Sequence, residues 1–405
     1  MKHVVILIDG AADEPIEKLG GRTPIESAHT PTIDAMAPYS EIGMANTVPK
    51  ECLPGSDTAN LSIMGYDPRV YAFGRSPLEA VSIGIDLKTE DVTFRVNLVS
   101  LSEDDEEYED KVILDHSADE ITTEEARVLI DALQEAFGDS LRKFYTGISY
   151  RHILVWDGGS VDVQLTPPHD ILGQAIAKFR PSGVHSDYIW DIMRNSYEVL
   201  SHHPINLERK SRGLKPANSI WLWGEGTKPN LPSFEERHHV KGSVISAVDL
   251  IKGIAISAGL RSIDVEGVTG TVHTNYKGKA DAAIKSLLEE KDDFIYIHLE
   301  GPDECGHQQD LDNKVRSLEL IDEKIIAPVK KALDESGKDY KILVIPDHPT
   351  PLRLRTHTRD SVPYMMYKKG ALMVDYDATY GETYAAQTGK DIHEGHTIMD
   401  ELFRP

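Results

Sequence analysis

The sequence predicts an α/β protein with a mostly parallel central sheet, interrupted by a smaller α+β block, and three observations lead there. Short apolar runs rich in Val and Ile recur, each stopping at an acid or a histidine: Val4–Ile8, Phe294–Leu299 and Ile342–Ile345. Runs without polar alternation mark strands buried on both faces, as in parallel sheets. Long helical patterns separate them, and that alternation requires a sheet covered on both sides. The middle of the chain differs, because there strand-like segments follow one another directly.

Taken in order, "VVILI" is a first strand ended by Asp9. "ECLPGSDTAN" then places a Pro-Gly bend before Ser56 and Asp57, and "LSIMGYDP" continues as a short helix stopped by Gly65. Ser56 or Asp57 can cap that helix, or Ser56 can be a nucleophile held over its positive end. "VTFRVNLVSL" and "EDKVILDHS" read as paired strands, and the acidic run "SEDDEEYED" between them as a solvated hairpin tip. "ITTEEARVLIDALQEAFGD" is an amphipathic helix with Thr122 and Glu125 at capping-box spacing, followed by the strand "YRHILVW". The stretch near Val96–Leu101 and the Gly- and Pro-containing "SRGLKPANS" are the expected crossing points. The expected domains are therefore 1–97 with 216–405, and an insertion at 98–215. Beyond it, Leu311, Val315, Leu318, Ile321, Ile325, Val329 and Leu333 keep helical spacing, Pro328 predicts a kink and Gly337 a stop.

A length of 405 residues suits two domains, or one carrying a large insertion. Acids outnumber Lys plus Arg by 67 to 43, a formal charge of -24 that repels nucleic acid and anionic membranes. A small anion is still compatible, because charge can be concentrated in one cleft. Cys52 and Cys305 make no disulfide framework and no CxxC motif, so both thiols are expected reduced. The first apolar run is too short for a signal segment, and none nears the roughly 20 residues of a membrane span. A cytoplasmic protein, monomeric or a small homo-oligomer, is expected.

In open α/β sheets ligands bind beyond the carboxyl ends of the strands. Asp9 follows the first strand, Asp303 and His307 follow "FIYIHL" in "EGPDECGH", and Asp347 and His348 follow "KILVI" in "PDHPT". His357, in "RTHTRDSVPY", lies in the next loop and can fold back to the same edge. One acid at a strand end caps a turn more often than it binds metal. Three strand ends delivering ligands of one chemical family are a different matter, since their carboxylates repel unless cations lie between them. Carboxylate oxygens mixed with imidazole nitrogens suit Mn²⁺ or Zn²⁺, with Co²⁺ equally acceptable. A two-metal site stabilises attacking and leaving oxygens in displacement at phosphorus, which makes Ser56 the candidate nucleophile. His202, His203, His238 and His239 have no such context and read as surface or packing residues.

At this point a family resemblance enters. "ILIDGAAD", "PGSDTANLSIMGYDP", "GRSPLEAVSIGI", "HPINLERKSRGLKPANSIWLWGEG", "SVISAVDLIKGI", "TNYKGKA", "EGPDECGH" and "PDHPTPLRLRTHTRDSVPY" together resemble the archaeal-type cofactor-independent phosphoglycerate mutases of the alkaline phosphatase superfamily. The resemblance implies an alkaline-phosphatase-like catalytic domain interrupted by a substrate domain, and interconversion of 3-phosphoglycerate and 2-phosphoglycerate through a phosphoserine at Ser56. It implies one metal held by Asp9, Ser56, Asp347 and His348, and another by Asp303, His307 and His357. His357 is favoured over His396 because "HTRDSVPY" matches the family's His-Thr signature, with Ser361 in place of its first proline. Water must be excluded while the phosphoserine exists, so two closing lobes are expected. Arg95 and Asn97 on "FRVNLVSL", Arg151 and His152 on "YRHILVW", and His169 and Asp170 in "PPHDILG", with Lys252 and Lys279 on the phosphatase side, are the candidate substrate residues. Competing readings are a phosphotransferase acting on homoserine, a phosphatase or phosphodiesterase, and a non-catalytic metal-binding regulator.

Overall fold

The computed structural model describes residues 1–71, 74–103 and 107–405. The chain divides into two compact units, Met1–Ala72 with Asn230–Pro405, and Phe73–Pro229. The boundaries expected at 97/98 and 215/216 therefore move outward. Residue 97 falls inside one strand, Asp91–Leu101, buried along its whole length. It pairs with Arg151–Asp157 on one side and Ser219–Thr227 on the other, so strand and partners stay in one unit.

In the first unit eight strands form one sheet in the order Arg261–Ser262, Gly242–Ile245, Phe294–Leu299, Lys2–Ile8, Tyr340–Ile345, Val362–Lys368, Ser40–Ala45 and Asp391–Ile392. All neighbours are parallel except the two pairings of Val362–Lys368. Alternate side chains serve opposite faces. Val4, Ile6 and Ile8 with Ile295, Ile297 and Leu299 pack against Ala280, Ala283, Leu287, Ile325 and Val329 of the covering helices. On the other face the Phe294 ring lies 4.7 Å from Phe234 and 5.8 Å from Phe403. Each such side chain contributes about 1.5–3 kcal/mol on full burial. A polar residue in these strands thus needs a partner: Lys2 donates to Asp293, Ser243 to Asp292 and Lys341 to the Leu402 carbonyl.

Just before Pro328 the helix changes its hydrogen-bond spacing. The helix Leu311–Ile321 widens into a π turn at Asp322–Ile326 before resuming as Ala327–Glu335. Proline has no N–H for the carbonyl four residues back and its ring crowds that group, a conflict the wider turn relieves. Buried Asp322, within the turn, accepts hydrogen bonds from the Thr32 and Ile33 amides and so anchors the helix Pro31–Met36.

In the second unit, Ile113–Asp115 pairs with the end of Asp91–Leu101, and the helix Thr123–Phe137 packs nearby. Thr122 caps that helix by accepting from the Glu125 amide at 3.3 Å. The Glu125 carboxylate turns instead to Arg209 and Arg212, so only half of the expected capping box forms. Residues 104–106 of the expected acidic tip lie outside the described residues. Among the described residues no helix is long and apolar enough to cross a membrane.

Candidate active site

Because Phe294–Leu299, Lys2–Ile8 and Tyr340–Ile345 are adjacent and parallel, their carboxyl ends deliver side chains to one edge. Asp303 and His307 sit on the short helix Gly301–Gln308, four residues apart and hence on one face. Two groups result, Asp9 with Asp347 and His348, and Asp303 with His307 and His357; within each, the ligand atoms lie within 4.8 Å of one another. The His348 and His357 rings, 4.0 Å apart, join the groups.

In the first group, Asp347 Oδ1 accepts from the Gly10 and His348 amides, and its Oδ2 accepts from Asn60. Asp9 Oδ2 accepts from His298 Nε2 at 2.9 Å. Ser246 Oγ accepts from the Val248 amide and lies 3.1 Å from His298 Nδ1, so a ring proton on Nε2 suits both contacts of the imidazole. Burial drives the His298 pKa down to about 3, keeping the ring neutral. Asp9 Oδ1 remains buried without a hydrogen-bond partner, 3.6 Å from His348 Nε2. Ser56 Oγ approaches that same nitrogen at 3.1 Å. Ser56 is the first residue of the helix Ser56–Ile63, and Gly55 is its cap. No side chain caps this helix, so neither Ser56 nor Asp57 has the capping role weighed from sequence. The serine hydroxyl faces the metal-ligand group instead.

The second group shows His307 Nε2 3.2 Å from Asp303 Oδ2 and His357 Nε2 3.4 Å from Asp303 Oδ1, with the two imidazole nitrogens 3.0 Å apart. Behind it the Thr350 hydroxyl donates to Asp303 Oδ1. Lys314, fully buried, donates to Asp13 Oδ2 and the Thr350 carbonyl, both at 2.8 Å.

Burial, followed by the neighbouring Asp347, Asp303 and Glu300, raises the Asp9 carboxyl well above its ordinary range. Burial alone would raise Asp303 as well, but hydrogen bonds from His307 and His357 prevail and hold it well below that range. The same bond to Asp303 lifts His307 to about 9. Converging carboxylates, one buried oxygen without a donor and two facing imidazole nitrogens suit a pair of divalent cations. The donor set fits the metals expected from sequence: it contains oxygen and nitrogen and no thiolate.

Gly10 tightens both groups at once. Its φ is +61°, and a Cβ there would lie 2.4 Å from Asp303 Oδ1 and 2.6 Å from Asp303 Cα. Gly10→Ala is expected to weaken divalent-cation binding by about 10–100-fold, comparable to loss of a group that orients a ligand. Calorimetric titration with Mn²⁺ checks this, and unchanged affinity would refute it.

The substrate candidates are distributed unevenly. In the second unit the Arg95 guanidinium lies 4.8 Å over the Trp223 ring and 3.4 Å from Glu79. His169 stands 5.3 Å from Trp223 and 6.1 Å from His116, Asp170 is exposed beside it, and Arg151 stacks 5.6 Å over Tyr150. Burial is the main cause that lowers the pKa of both Arg95 and His169, and the charge of Arg75 acts in the same direction on each. Asn97 is committed elsewhere, accepting from Trp223 Nε1 and donating to the His116 carbonyl. His152 is buried, its Nδ1 accepting from the Gly147 amide, and burial lowers its pKa to about 3. In the first unit Lys252 pairs with Asp264 at 2.8 Å. Lys279, buried, donates to the His298 carbonyl; its burial, partly offset by Glu300, brings its pKa down to about 8.

Sequence reasoning missed Asn60, His298, Lys314, Arg75 and His116. A histidine within the otherwise apolar run "FIYIHL" was the available signal for His298, and "GRSPLEA" holds Arg75. His116 had none: it precedes Ala118, Asp119 and Glu120, three successive non-glycine residues with positive φ, a strain characteristic of functional loops. Of the context-free histidines, His203 caps the helix Pro204–Ser211 and His238 packs 4.7 Å from Phe234.

Comparison with known proteins follows the same lines. A family model described as 2,3-bisphosphoglycerate-independent phosphoglycerate mutase matches residues 37–206. A Geobacter sulfurreducens protein named as a probable 2,3-bisphosphoglycerate-independent phosphoglycerate mutase is 45% identical over 99% of either chain. A Methanosarcina barkeri protein bearing that enzyme name is 46% identical over 91% of this chain and 90% of its own. Among solved structures, a Pyrococcus horikoshii protein has a TM-score of 0.81 at 29% identity, covering 99% of this chain and 96% of its own. The Thermoplasma acidophilum cofactor-independent phosphoglycerate mutase shares the fold, with a TM-score of 0.67 at 24% identity and 99% coverage of both chains.

Proposed function

The chain belongs to the 2,3-bisphosphoglycerate-independent phosphoglycerate mutases, and from that premise we propose that it interconverts 3-phosphoglycerate and 2-phosphoglycerate with Ser56 as the phosphate carrier. The observation that carries this reading is Ser56 Oγ at 3.1 Å from His348 Nε2, within the group formed with Asp9 and Asp347. Asp9, Ser56, Asp347 and His348 would hold one divalent cation, and Asp303, His307 and His357 the other. When bound, Mn²⁺, Zn²⁺ or Co²⁺ would withdraw charge from phosphoryl oxygens and lower the pKa of the serine hydroxyl.

Ser56 Oγ attacks phosphorus as the bond from phosphorus to the 3-oxygen of glycerate breaks. That oxygen takes up the proton that Ser56 has lost. In the second half the 2-hydroxyl attacks the phosphoserine, the bond from Ser56 Oγ to phosphorus breaks, and the serine recovers a proton, so the cycle is proton-neutral. The unpaired amides of the first turn, starting at Ser56, favour a dianionic phosphate on that residue. Within the second unit, Arg75, Arg95 and Arg151 would offer cationic partners for an anionic three-carbon substrate. A cytoplasmic setting agrees with two cysteines that are both unpaired.

Incubating the metal-loaded protein with 3-phosphoglycerate, coupled to enolase, tests the proposal. Formation of 2-phosphoglycerate with little free phosphate is expected. Phosphate release at the mutase rate would indicate a phosphatase, and turnover only with homoserine and ATP would indicate the other phosphotransferase; either overturns it.

A further inference from the structure

Asn60 lies one helical turn beyond Ser56 and is completely buried. Its amide nitrogen is 2.8 Å from the Ser56 carbonyl oxygen and 2.9 Å from Asp347 Oδ2. Its amide oxygen accepts from the Tyr296 hydroxyl at 2.6 Å. Both groups at the nitrogen end are acceptors only, so the amide has a single workable orientation. Tyr296, buried in the middle of the strand Phe294–Leu299, fixes that orientation from the sheet.

The start of this helix is otherwise lightly held. Gly55 caps it without any side-chain bond, and Pro54 and Gly55 form the bend before it. Asn60 is thus the side chain that refers both the backbone of Ser56 and the carboxylate of Asp347 to one rigid strand. We infer that Asn60 is a positioning residue: one amide sets the spacing between the phosphate-carrying serine and Asp347, with Tyr296 as its anchor. This rests on the reading of Ser56 as phosphate carrier. A displacement on the order of 1 Å between reacting groups costs about 100-fold in rate, so a single tether of this kind has a measurable effect.

The test uses the full chain with Asn60→Ala and Tyr296→Phe, titrated with Mn²⁺ and followed by the paramagnetic resonance of the free ion. Asn60→Ala is expected to lower kcat for 3-phosphoglycerate about 10–100-fold with KM within about twofold, and to weaken one of two Mn²⁺ sites about 10–100-fold. Tyr296→Phe should show the same pattern, smaller in extent. The Mn²⁺ loss should recur, measured against Ser56→Ala alone, when Asn60→Ala is combined with Ser56→Ala, where no phosphate can be transferred. A residue that merely stabilised the fold would lower Tm and leave both Mn²⁺ sites of the folded protein intact. Folded Asn60→Ala with two undisturbed sites would overturn the inference. If that variant does not fold, Tyr296→Phe with unchanged kcat and Mn²⁺ affinity would do so. Should the unmodified protein form no 2-phosphoglycerate, the reading of Ser56 fails, while the Mn²⁺ affinities still decide the role of Asn60.

Discussion

Ser56→Ala is expected to reduce turnover of 3-phosphoglycerate by about 10⁴-fold or more, the scale on which covalent nucleophiles act. The loss should fall on kcat, because the carbonyl of Ser56, its helix and both carboxylate-histidine groups stay in place. Only the hydroxyl beside His348 Nε2 disappears. Since Ser56 is partly exposed and caps nothing, stability should change by no more than about 0.5 kcal/mol. Mass spectrometry of acid-quenched enzyme supplies the second readout: the unmodified chain should carry phosphate on the segment "ECLPGSDTAN", and the variant should not. Normal turnover by the variant would rule out a phosphoserine altogether.

Removing divalent cations is the other large effect expected. Chelation should bring phosphotransfer to background, and Mn²⁺, Zn²⁺ or Co²⁺ added singly should restore it to different extents. The stripped site keeps Asp9, Asp303 and Asp347 close together, where burial first and then the neighbouring acids raise the Asp9 carboxyl. Each site occupied at 1,000 times its Kd adds about 4 kcal/mol to stability, so Tm should drop by several degrees on stripping. The pH dependence has a definite sign. With His307 raised to about 9 by Asp303, the metal-free protein carries a proton there at neutral pH, which an incoming cation must displace. Affinity should therefore rise with pH up to about 9, approaching tenfold per unit for one released proton. Affinity independent of pH between 6 and 8, measured by competition with a chelator of known behaviour, would contradict this.

The residues easiest to read were those whose chemistry and place in the chain spoke together. Asp9, Asp347 and His348 each follow a run of buried apolar residues, so the topology of a parallel sheet gathers them at one edge. His357 needed the return of a loop, and the partition of ligands into two groups needed the family resemblance. The groups that orient those ligands were harder. Asn60 and Tyr296 are unremarkable in sequence, and their meaning arises from a contact between a helix and a strand more than 200 residues apart. Lys314 falls between Leu311 and Leu318 on the apolar stripe of its helix, and it is fully buried there because Asp13 and the Thr350 carbonyl, both distant in sequence, converge on it. The insertion boundaries lie further out than the sequence suggests, because pairing on both sides of Asp91–Leu101 keeps that strand whole, and nothing in "VTFRVNLVSL" announces those partners.

The place of the first strand bears on how the chain emerges from the ribosome. Lys2–Ile8 has both neighbours in the last third of the protein, at Phe294–Leu299 and Tyr340–Ile345. At typical synthesis rates, the earlier of these appears roughly 15–60 s after "VVILI" has been made. For that interval a fully apolar strand has no partner, and an unpaired strand of this kind invites association with other chains. Phe73–Pro229, with its own buried cluster, can meanwhile complete most of its contacts. Chaperone dependence should therefore lie with the outer segments, and the first ten residues should be where a nascent chain is most in need of cover.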